Sequence, residues 1–310
     1  MKAARIHQFG PPEVISLDEL PQPTATGNEV LVRVAAAGVG PWDAWIREGK
    51  SVVTVALPVT LGSDISGIVE QIGPAVSQFA VGDVVYGVSN ANFTGGYAEY
   101  AVASENTLSL KPKSLDWLAA ASAPVVAVTA WQMLFEYSKA QPGQSVLILG
   151  AAGSVGSYAV QLAAQAGLTV FATASSEDAD YVRGLGAALV VDYKTASLAD
   201  VVPLVDIVLD MVGGSSRDAS LPTIKPGGIL VSIVSDITPT PAPNIRGIFF
   251  LVEVTSQRLR RLTELFDSGR LRANVGTDLP LEAVRLSHEM LGGAPHRRGK
   301  IVLRVADLKQ

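Results

Sequence analysis

Gly150, Gly153 and Gly156 stand in one short stretch, Gly150-Ala-Ala-Gly-Ser-Val-Gly156, directly after the apolar run of residues 146–149. Glycine in such a place lets the backbone approach a bound group closely, and it lets the helix that follows pack tightly against the strand. The stretch departs from the pattern Gly-x-Gly-x-x-Gly, because Ala151 stands at its first glycine. The elements on either side therefore decide whether such a turn binds a phosphate.

An apolar strand and an amphipathic helix flank the stretch. Residues 146–150 are typical of a parallel strand buried on both faces, and residues 155–166 repeat apolar side chains at helical spacing. A helix N-terminus presents N–H groups and a partial positive charge to an anion. We interpret the segment as the cradle of a dinucleotide pyrophosphate; the alternative is a strand–helix turn that binds nothing. The predicted cofactor contacts are Gly150, Ala152, Gly153, Ser154, Val155 and Gly156, with Met211 and Ile233 at the ends of two later strands.

The end of the next predicted strand, residues 169–174, bears on the choice of nucleotide. An acidic residue at this strand end bonds the ribose 2′-hydroxyl of NAD and repels a 2′-phosphate, but here the residue is Ala174. NADPH is therefore favoured, and NADH stays open because Glu177 and Asp178 follow closely. Those two acids are also interpreted as first-turn residues of a helix that Ser176 caps. The predicted hydroxyl donors to the ribose phosphate are Ser175, Ser176 and Tyr193.

Composition excludes several classes of protein. The chain has 310 residues, 48% of them hydrophobic, which suffices for a large core and favours two domains. A net charge of −5 without a basic stripe argues against a nucleic-acid partner. No apolar run approaches the roughly 20 residues that span a bilayer, and the N-terminus lacks the apolar core of a signal peptide, so we expect a cytoplasmic protein without a membrane partner. The absence of cysteine excludes disulfides, thiolate catalysis and cysteine-bound metals.

Turn residues and hydrophobic spacing divide the chain into three segments. Residues 1–118 contain short strands between glycine and proline turns, which is typical of an antiparallel, barrel-like domain. Residues 119–255 alternate helices with strands and predict a doubly wound parallel sheet of α/β class. Residues 256–310 add two helices and a closing strand, which we expect to rejoin the first domain because one more strand has little use alone.

Six parallel strands are predicted in the middle segment. A turn at Pro226-Gly-Gly228 is expected to precede the fifth strand, a helix is expected over residues 129–138, and the proline-rich residues 238–243 predict a stiff extended loop. The predicted strands are residues 146–150, 169–174, 189–192, 205–210, 228–233 and 248–254.

Eight segments spread almost from end to end of the chain stand in a characteristic order. They are Ala36-Ala-Gly-Val-Gly-Pro-Trp-Asp43, Leu61-Gly-Ser-Asp-Ile-Ser-Gly-Ile-Val-Glu70, Val81-Gly-Asp-Val-Val-Tyr-Gly87, Gly95-Gly-Tyr-Ala-Glu-Tyr100, Val128-Thr-Ala-Trp131, Gly150-Ala-Ala-Gly-Ser-Val-Gly156, Leu185-Gly-Ala187 and Arg298-Gly-Lys-Ile-Val-Leu303. In this order they resemble the medium-chain dehydrogenase/reductase superfamily, specifically its zinc-free, zeta-crystallin-like quinone oxidoreductase branch. The resemblance implies a Rossmann cofactor domain, a GroES-like catalytic domain made from both ends of the chain, and a cleft between them. It also implies that Thr129 lies near the nicotinamide.

The resemblance implies chemistry without a metal. In the zinc alcohol dehydrogenase branch a cysteine and a Gly-His-Glu segment serve the catalytic zinc, whereas the matching positions here are Val39-Gly40 and Gly62-Ser63-Asp64. His7, His288 and His296 have no paired ligand spacing and are interpreted as surface or structural residues. Without a Lewis acid, the favoured acceptors delocalise the charge of an arriving hydride, quinones first and conjugated enones or enals second. An enoyl-thioester reductase and a nucleotide-binding, redox-sensing protein without turnover stay open.

Polar positioning of the substrate is reduced in this chain. Members of the branch usually carry asparagine where Gly40 stands and tyrosine where Trp45 stands. Aromatic side chains predict a pocket for planar acceptors; the alternative for each is a place in the core. Asp43 is interpreted as orienting the structure and Asp64 as holding its loop, and no catalytic residue is predicted because solvent can protonate the product. The predicted pocket residues are Trp42, Asp43, Trp45, Asp64, Phe249 and Phe250.

An apolar segment at residues 249–254 is interpreted as an edge strand of the cofactor domain. Many members of the family pair through such an edge, so the resemblance implies a homodimer.

Overall fold

The structure of the protein is a computed structural model that describes residues 1–237 and 244–308. The loop predicted at residues 238–243 lies outside the described residues. The chain divides into two compact units, the first formed by Met1–Val125 together with Glu253–Gln310 and the second by Val126–Val252. Within the two described ranges, no helix combines the length and the apolar character needed to cross a membrane.

The described residues form the following strands and helices. The strands are β1 (Lys2–Ile6), β2 (Ile15–Glu19), β3 (Glu29–Val39), β4 (Val59–Thr60), β5 (Asp64–Ile72), β6 (Val84–Val88), β7 (Tyr100–Ser104), β8 (Leu108–Leu110), β9 (Ser145–Leu149), β10 (Thr169–Ala174), β11 (Leu189–Asp192), β12 (Val205–Asp210), β13 (Ile224–Ser232), β14 (Arg246–Phe249), β15 (Val275–Pro280) and β16 (Lys300–Arg304). The α-helices are α1 (Pro41–Arg47), α2 (Trp117–Ala121), α3 (Pro124–Trp131), α4 (Ser154–Gln165), α5 (Ala179–Gly184), α6 (Leu198–Val201), α7 (Gly214–Ser220), α8 (Ser256–Asp267) and α9 (Val284–Leu291).

The second unit is built on a parallel sheet with the strand order β11-β10-β9-β12-β13-β14. From β9 the chain adds strands first on one side and then on the other, so the order reverses between β9 and β12. Residues 146–149 of β9 are fully buried, as expected for a strand covered on both faces. The prediction of a doubly wound sheet is confirmed, and ligands of such sheets bind outside the carboxyl ends of the strands at the reversal.

Two predicted strands of this sheet have the wrong bounds. Residues 226–228 do not precede the fifth strand but lie inside β13, where the pairing with β12 passes from Val205–Ile224 to Ile207–Ile229. Gly227 has φ +80°, so the Pro-Gly-Gly sequence forms an irregularity within the strand that only glycine tolerates easily. The sixth strand, β14, covers Arg246–Phe249 rather than residues 248–254, because only those residues pair with β13. β14 is the last strand of the sheet on its side.

The helix predicted at residues 129–138 begins earlier than expected. α3 starts at Pro124, and a π-helical turn, Gln132–Tyr137, continues it. Residues 125–130 of α3 are all buried, so the helix has no polar face at this end. Without alternation between polar and apolar faces, the sequence carries little signal for where such a helix starts.

The first unit is mainly antiparallel β, which confirms the predicted class of this domain. Its larger sheet has the order β15-β16-β3-β5-β6-β8 with β7 also paired to β3, and a smaller sheet has the order β2-β1-β4. β16, close to the C-terminus, pairs antiparallel with β3. β15 runs parallel to β16 and was not predicted, because Gly276, Asp278 and Pro280 are residues that strands usually avoid.

Three strands of the larger sheet bring their ends together. β3 ends at Val39, where the chain enters α1. β5 begins at Asp64, which lies opposite Gly38 of β3. β16 begins at Lys300, next to the pair Ile301–Val39. The sheet therefore places the segment before α1, Asp64 and Lys300 at one end of β3.

Candidate active site

The glycine turn joins β9 to α4 at the reversal point of the parallel sheet. Gly150 has φ +75°, a left-handed conformation that favours glycine. A Cβ atom on Gly156 would lie 2.2 Å from the carbonyl oxygen of Gly150, so the helix can pack this closely only without a side chain there. The turn is therefore held tight by its own sequence. Gly153 is the N-cap of α4 and supplies no side chain that would cap the first N–H groups of the helix. These N–H groups have no acceptor within the helix and fit an anionic group such as a pyrophosphate.

Neighbouring strands anchor this turn. Thr173 of β10 accepts the N–H of Gly150 on its hydroxyl at 3.1 Å and the N–H of Ala151 on its carbonyl at 3.0 Å. Between Gly150 and Gly156, Ala152 lies in the glycine turn, and Ser154 and Val155 begin α4. The turn is thus fixed by β10 as well as by β9.

A buried carboxylate fixes a second loop beside the turn. Asp210, the last residue of β12, accepts the N–H groups of Val212 at 3.0 Å and Gly213 at 2.7 Å. It also accepts the hydroxyl of Ser232 at 2.8 Å, and both side chains are fully buried. A Cβ atom on Gly150 would lie 2.9 Å from Cγ2 of Val212, so this loop lies against the glycine turn. The loop carries Met211, and the N–H of Ile233 bonds the carbonyl of Asp210 at 3.2 Å.

Asp210 was not predicted as a site residue. Its signal in the sequence is an acid that ends an otherwise apolar strand and stands three and four residues before Gly213 and Gly214. Both glycines have positive φ, +75° and +54°. The loop therefore has a fixed, unusual course that a carboxylate at the strand end stabilises through its hydrogen bonds.

The hydroxyls predicted at the ribose end have different surroundings. The hydroxyl of Ser175 donates to Asp178 at 2.9 Å. The expectation that Ser176 caps the helix is wrong, because Ser176 begins a 3₁₀ turn that Ser175 precedes, and α5 starts only at Ala179. Tyr193 is 54% exposed. Thr129, on α3, is buried.

In the first unit, Asp43 stabilises the start of α1. Its Oδ2 accepts the N–H of Gly40 at 2.8 Å and the hydroxyl of Tyr97 at 2.7 Å. Gly40 is the N-cap of α1, Pro41 follows it, and Asp43 is the third helical residue, a position from which a carboxylate can reach back to the cap. Burial raises the pKa of Asp43 from 3.8 to about 7, against the lowering effect of these hydrogen bonds.

Asp64 pairs with a buried lysine. Its Oδ1 accepts the N–H of Val125 at 3.0 Å, and its Oδ2 lies 3.5 Å from Nζ of Lys300. Burial raises the pKa of Asp64 to about 6, and the nearby ammonium group opposes that rise. Burial also lowers the pKa of Lys300, while the two carboxylates act in the opposite direction. Asp43, Asp64 and Lys300 therefore form one electrostatic cluster, which we call the buried ion cluster.

The structure separates the predicted aromatic residues into groups. Trp42 lies beside Phe93, with ring centroids 6.4 Å apart, in the first unit. Trp45, three residues further along α1, is 51% exposed. In the second unit Phe250 is buried and stacks on Tyr137 at 4.2 Å, while Phe249 ends β14.

Lys300 and Tyr97 are the members of the first-unit site that the sequence did not reveal as site residues. Lys300 stands in the segment Arg298-Gly-Lys-Ile-Val-Leu303, where a lysine before an apolar run is typical of a solvated strand end. Instead it is 4% exposed. The only signal was its place at the head of a strand that the resemblance brought back to the first domain.

The described residues include no group of three or more histidine, aspartate and glutamate side chains that could hold a metal ion. His288 is buried, with Nδ1 2.8 Å from the guanidinium of Arg47, and burial lowers its pKa to about 3. His7 lies on the surface and contacts Asp18 at 2.8 Å.

Comparison with known proteins gives matches over nearly the whole chain. The model of the alcohol dehydrogenase GroES-like domain matches residues 26–113, and that of the zinc-binding dehydrogenases matches residues 185–303. The chain is 32% identical to a quinone oxidoreductase of Rattus norvegicus, over 98% of this chain and 97% of that protein. It is also 32% identical to a chloroplastic NADPH-dependent alkenal/one oxidoreductase of Arabidopsis thaliana, over 98% of this chain and 79% of that protein.

Similarity of fold points the same way. The solved structure of the quinone oxidoreductase from Coxiella burnetii matches with a TM-score of 0.92 and 34% identity, covering 99% of both chains. The chain therefore belongs to the medium-chain dehydrogenase/reductase superfamily of nicotinamide-dependent oxidoreductases, in its zeta-crystallin-like quinone oxidoreductase branch.

Proposed function

We propose that the protein is a metal-independent reductase that uses NADPH to deliver hydride to quinones. One observation carries the cofactor half: the uncapped N-terminus of α4, behind a glycine turn that no side chain could enter, lies at the reversal point of the parallel sheet. The acceptor half is supported by the long matches to quinone oxidoreductases.

The residues of the second unit fit a dinucleotide. The N–H groups of Ser154, Val155 and Gly156 at the start of α4 would hold the pyrophosphate, with Gly150, Ala152 and Gly153 forming the floor of the turn. Asp210 fixes the loop that carries Met211. This loop and Ile233 would flank the nicotinamide half of the dinucleotide, and Thr129 is proposed for the same half. The reduced nicotinamide, when bound, supplies the hydride.

NADPH is proposed over NADH because no acid stands at the end of β10. Ala174 leaves that place without a carboxylate to bind the ribose 2′-hydroxyl. Ser175, Ser176 and Tyr193 are the proposed hydroxyl donors to a 2′-phosphate. The bond between Ser175 and Asp178 works against the phosphate, so we expect a preference and not an exclusive choice.

The residues do not fit a catalytic zinc ion. The segments that match the zinc ligands of the other branch are Val39-Gly40 and Gly62-Ser63-Asp64, which offer neither a thiolate nor an imidazole. A simple ketone would gain an alkoxide charge that nothing in this segment stabilises, whereas a quinone spreads the charge over its conjugated system. In the first unit Trp42 and Trp45 are the proposed apolar surroundings of such an acceptor, and Asp43 supports them at the start of α1, beside Asp64 in the buried ion cluster. In the second unit Phe249 and Phe250 stay predicted acceptor residues.

Conjugated alkenals and alkenones are the second candidate acceptors. The match to the Arabidopsis thaliana alkenal/one oxidoreductase favours them specifically, since it is as high in identity as the match to the rat quinone oxidoreductase. Both classes deliver the new charge to a conjugated oxygen, so the same site suits either.

The test follows the absorbance of NADPH with a benzoquinone, a naphthoquinone, an enone and a simple ketone. We expect turnover of the quinones, weaker turnover of the enone, slower rates with NADH, and rates unchanged by a chelator. Gly156→Val is the variant that blocks the turn, and Gly184→Ala, which adds a methyl group in open space, is its control. Turnover of the ketone alone, or loss of activity to the chelator with recovery on adding zinc, contradicts the proposal.

We also propose a homodimer that forms through β14, the last strand on its side of the parallel sheet. Light scattering should then give about twice the chain mass of 32.4 kDa. A mass near that of one chain at micromolar concentration contradicts it. The cytoplasmic location stays a prediction.

A further inference from the structure

The ring of Trp42 occupies the space that a side chain on Gly40 would need. A Cβ atom built on Gly40 would lie 2.3 Å from Cζ2 and Cη2 of Trp42 and 2.5 Å from Cζ3. Gly40 has φ −134° and ψ 163°, an extended conformation open to any residue, so the demand for glycine comes from the indole and not from the backbone. The position of the ring and the absence of a side chain at residue 40 therefore depend on each other.

No hydrogen bond fixes this indole to a described residue. Nε1 of Trp42 is buried and has no hydrogen-bond partner in the described part of the chain. The nearest strong interaction is with Lys300, whose Nζ lies 4.1 Å from the ring centroid. A cation at that distance over tryptophan is attracted by the ring, and more strongly where water is excluded.

Lys300 is itself paired with a carboxylate. Nζ is 3.5 Å from Oδ2 of Asp64 and makes no hydrogen bond with a described residue. Asp64 in turn binds the N–H of Val125. The charged and titratable groups acting on Lys300 are Asp64 and Asp43, and Tyr97 bonds Asp43. The ammonium group of Lys300 therefore contacts both a fixed carboxylate and an aromatic ring.

We propose that Trp42 is a specificity-determining residue of the acceptor site and that Lys300 is the positioning residue that fixes its ring. Trp42 is only partly buried, with Phe93 beside it, so part of this residue stays accessible. Held over Gly40, it forms a rigid wall that binds wide, fused-ring acceptors by stacking without a hydrogen bond to their oxygens. This inference rests on the proposed function, because it assigns the acceptor selectivity of the same reaction.

A double-mutant cycle tests the link between the two residues. Lys300→Met removes the cation at similar volume, and Trp42→Leu removes the ring. Each single change should raise KM for a naphthoquinone at least about five-fold and change kcat less, because a fixed wall acts on ground-state and transition-state binding alike. The double variant should resemble Trp42→Leu, since Lys300 acts through the ring.

Two controls separate this effect from general damage. The dissociation constant for NADPH should stay within about two-fold of wild type in all three variants, because the second unit carries the proposed nucleotide site. Lys225→Met removes a half-exposed lysine that pairs with Asp206 at 2.9 Å in the second unit, and it should leave KM unchanged. Wild-type KM in folded Lys300→Met, or single effects that multiply in the double variant, overturns the proposal.

A second perturbation reaches the ring of Trp42 through Gly40. Gly40→Ala must displace the indole, so it should raise KM for the naphthoquinone without altering NADPH binding, while Gly184→Ala should not. If Lys300→Met does not fold, Lys300→Gln and Gly40→Ala decide the question. An unchanged KM in Gly40→Ala contradicts the proposal.

Fluorescence keeps this test distinct from the test of the proposed function. If the wild type oxidises NADPH with none of the acceptors in the panel, the proposed function fails. The positioning of Trp42 is still measurable in that case. The difference in tryptophan emission between wild type and Trp42→Phe is the emission of this indole. The same difference, measured by adding Trp42→Phe to Lys300→Met, should have another wavelength or intensity. An indole emission that is the same in the wild type and in Lys300→Met overturns the positioning role.

Discussion

Buried carboxylates support the candidate site of each unit, but they do so in different ways. In the second unit Asp210 accepts three hydrogen bonds, two from backbone N–H groups and one from Ser232. In the first unit Oδ1 of Asp43 and Nζ of Lys300 make no hydrogen bond with a described residue, and an ion pair of 3.5 Å joins Lys300 to Asp64. The loop after β12 is thus fixed by hydrogen bonds to one carboxylate, whereas in the first unit an ion pair adds to the hydrogen bonds that Asp43 and Asp64 accept from Gly40, Tyr97 and Val125.

The difference has a functional meaning. A pyrophosphate and a nicotinamide are the same in every turnover, so a loop fixed by directional hydrogen bonds suits the nucleotide site proposed for the second unit. A buried ion cluster depends on the protonation state of its members, because an unpaired charge is costly in a medium of low dielectric constant. The first unit should therefore respond to pH and to charge-removing substitutions, and the second to changes of volume and of hydrogen bonding.

The largest expected effect comes from filling the glycine turn. In Gly156→Val the new Cβ would lie 2.2 Å from the carbonyl oxygen of Gly150, which is backbone and cannot rotate away. The turn must open, so NADPH binding should weaken at least about 100-fold, and overpacking should lower the free energy of unfolding by about 1–3 kcal/mol. Calorimetry with NADPH measures the first and urea unfolding the second. Gly184→Ala should match wild type, and an unchanged affinity in Gly156→Val would show that the turn does not hold the nucleotide.

A smaller effect is expected when Asp210 loses its carboxylate. Asp210→Ala leaves the N–H groups of Val212 and Gly213 and the hydroxyl of Ser232 without this acceptor, which costs about 1–3 kcal/mol for a buried group. We expect a loss of stability of that size and NADPH binding weakened by about ten-fold, since the loop beside Gly150 loosens. Asp210→Asn keeps one acceptor oxygen and should lose less. Asp200→Ala, which removes an exposed carboxylate on α6, should change neither quantity; equal losses in both alanine variants contradict a special role for Asp210.

The pH dependence of stability should distinguish the first unit from the second. The pKa of Asp43 rises from 3.8 to about 7 on folding, so between these values the native state binds more protons than the unfolded state. Its contribution to the free energy of unfolding therefore falls as pH rises from about 4 to about 7, by up to about 1.4 kcal/mol per pH unit. Asp43→Asn removes this slope while keeping an oxygen for Gly40 and Tyr97.

Urea unfolding across that pH range measures the slope. Asp43→Asn should gain on wild type as pH rises, whereas Asp200→Asn should keep the wild-type slope because its carboxylate is exposed. A parallel dependence in wild type and Asp43→Asn would show that Asp43 is ionised in the native state throughout this range.

The fold was largely predictable because its elements carry local signals. The apolar run of β9, the glycine turn and the spacing of α4 indicate a parallel sheet without knowledge of any other segment. β15 and the start of α3 escaped prediction for opposite reasons: the strand contains residues that strands usually avoid, and the helix is apolar on all sides.

The candidate site was less predictable because its key contacts are distant in sequence. Asp43 is interpreted from the sequence only as orienting the structure, and its place three residues after the N-cap of α1 is known from the fold. Lys300, however, meets Trp42 and Asp64 only because β16 pairs with β3, and no local pattern distinguishes a buried lysine from a solvated one. Similarly, the bond between Ser175 and Asp178 depends on a 3₁₀ turn whose geometry the sequence does not specify.

That bond gives the smallest expected effect. Asp178 engages the hydroxyl of Ser175 and adds a negative charge near the proposed 2′-phosphate, so Asp178→Asn should weaken both restraints on NADPH. Asp178 is only partly buried, so screening limits the gain, and the ratio of kcat/KM for NADPH to that for NADH should rise only about two- to three-fold. The control Asp180→Asn removes a charge two residues further on, from a side chain that is 99% exposed, and should leave the ratio unchanged. If Asp178→Asn instead raises kcat/KM for NADH as much as for NADPH, the acid acts against both nucleotides. The ribose 2′ position would then not lie at the end of β10.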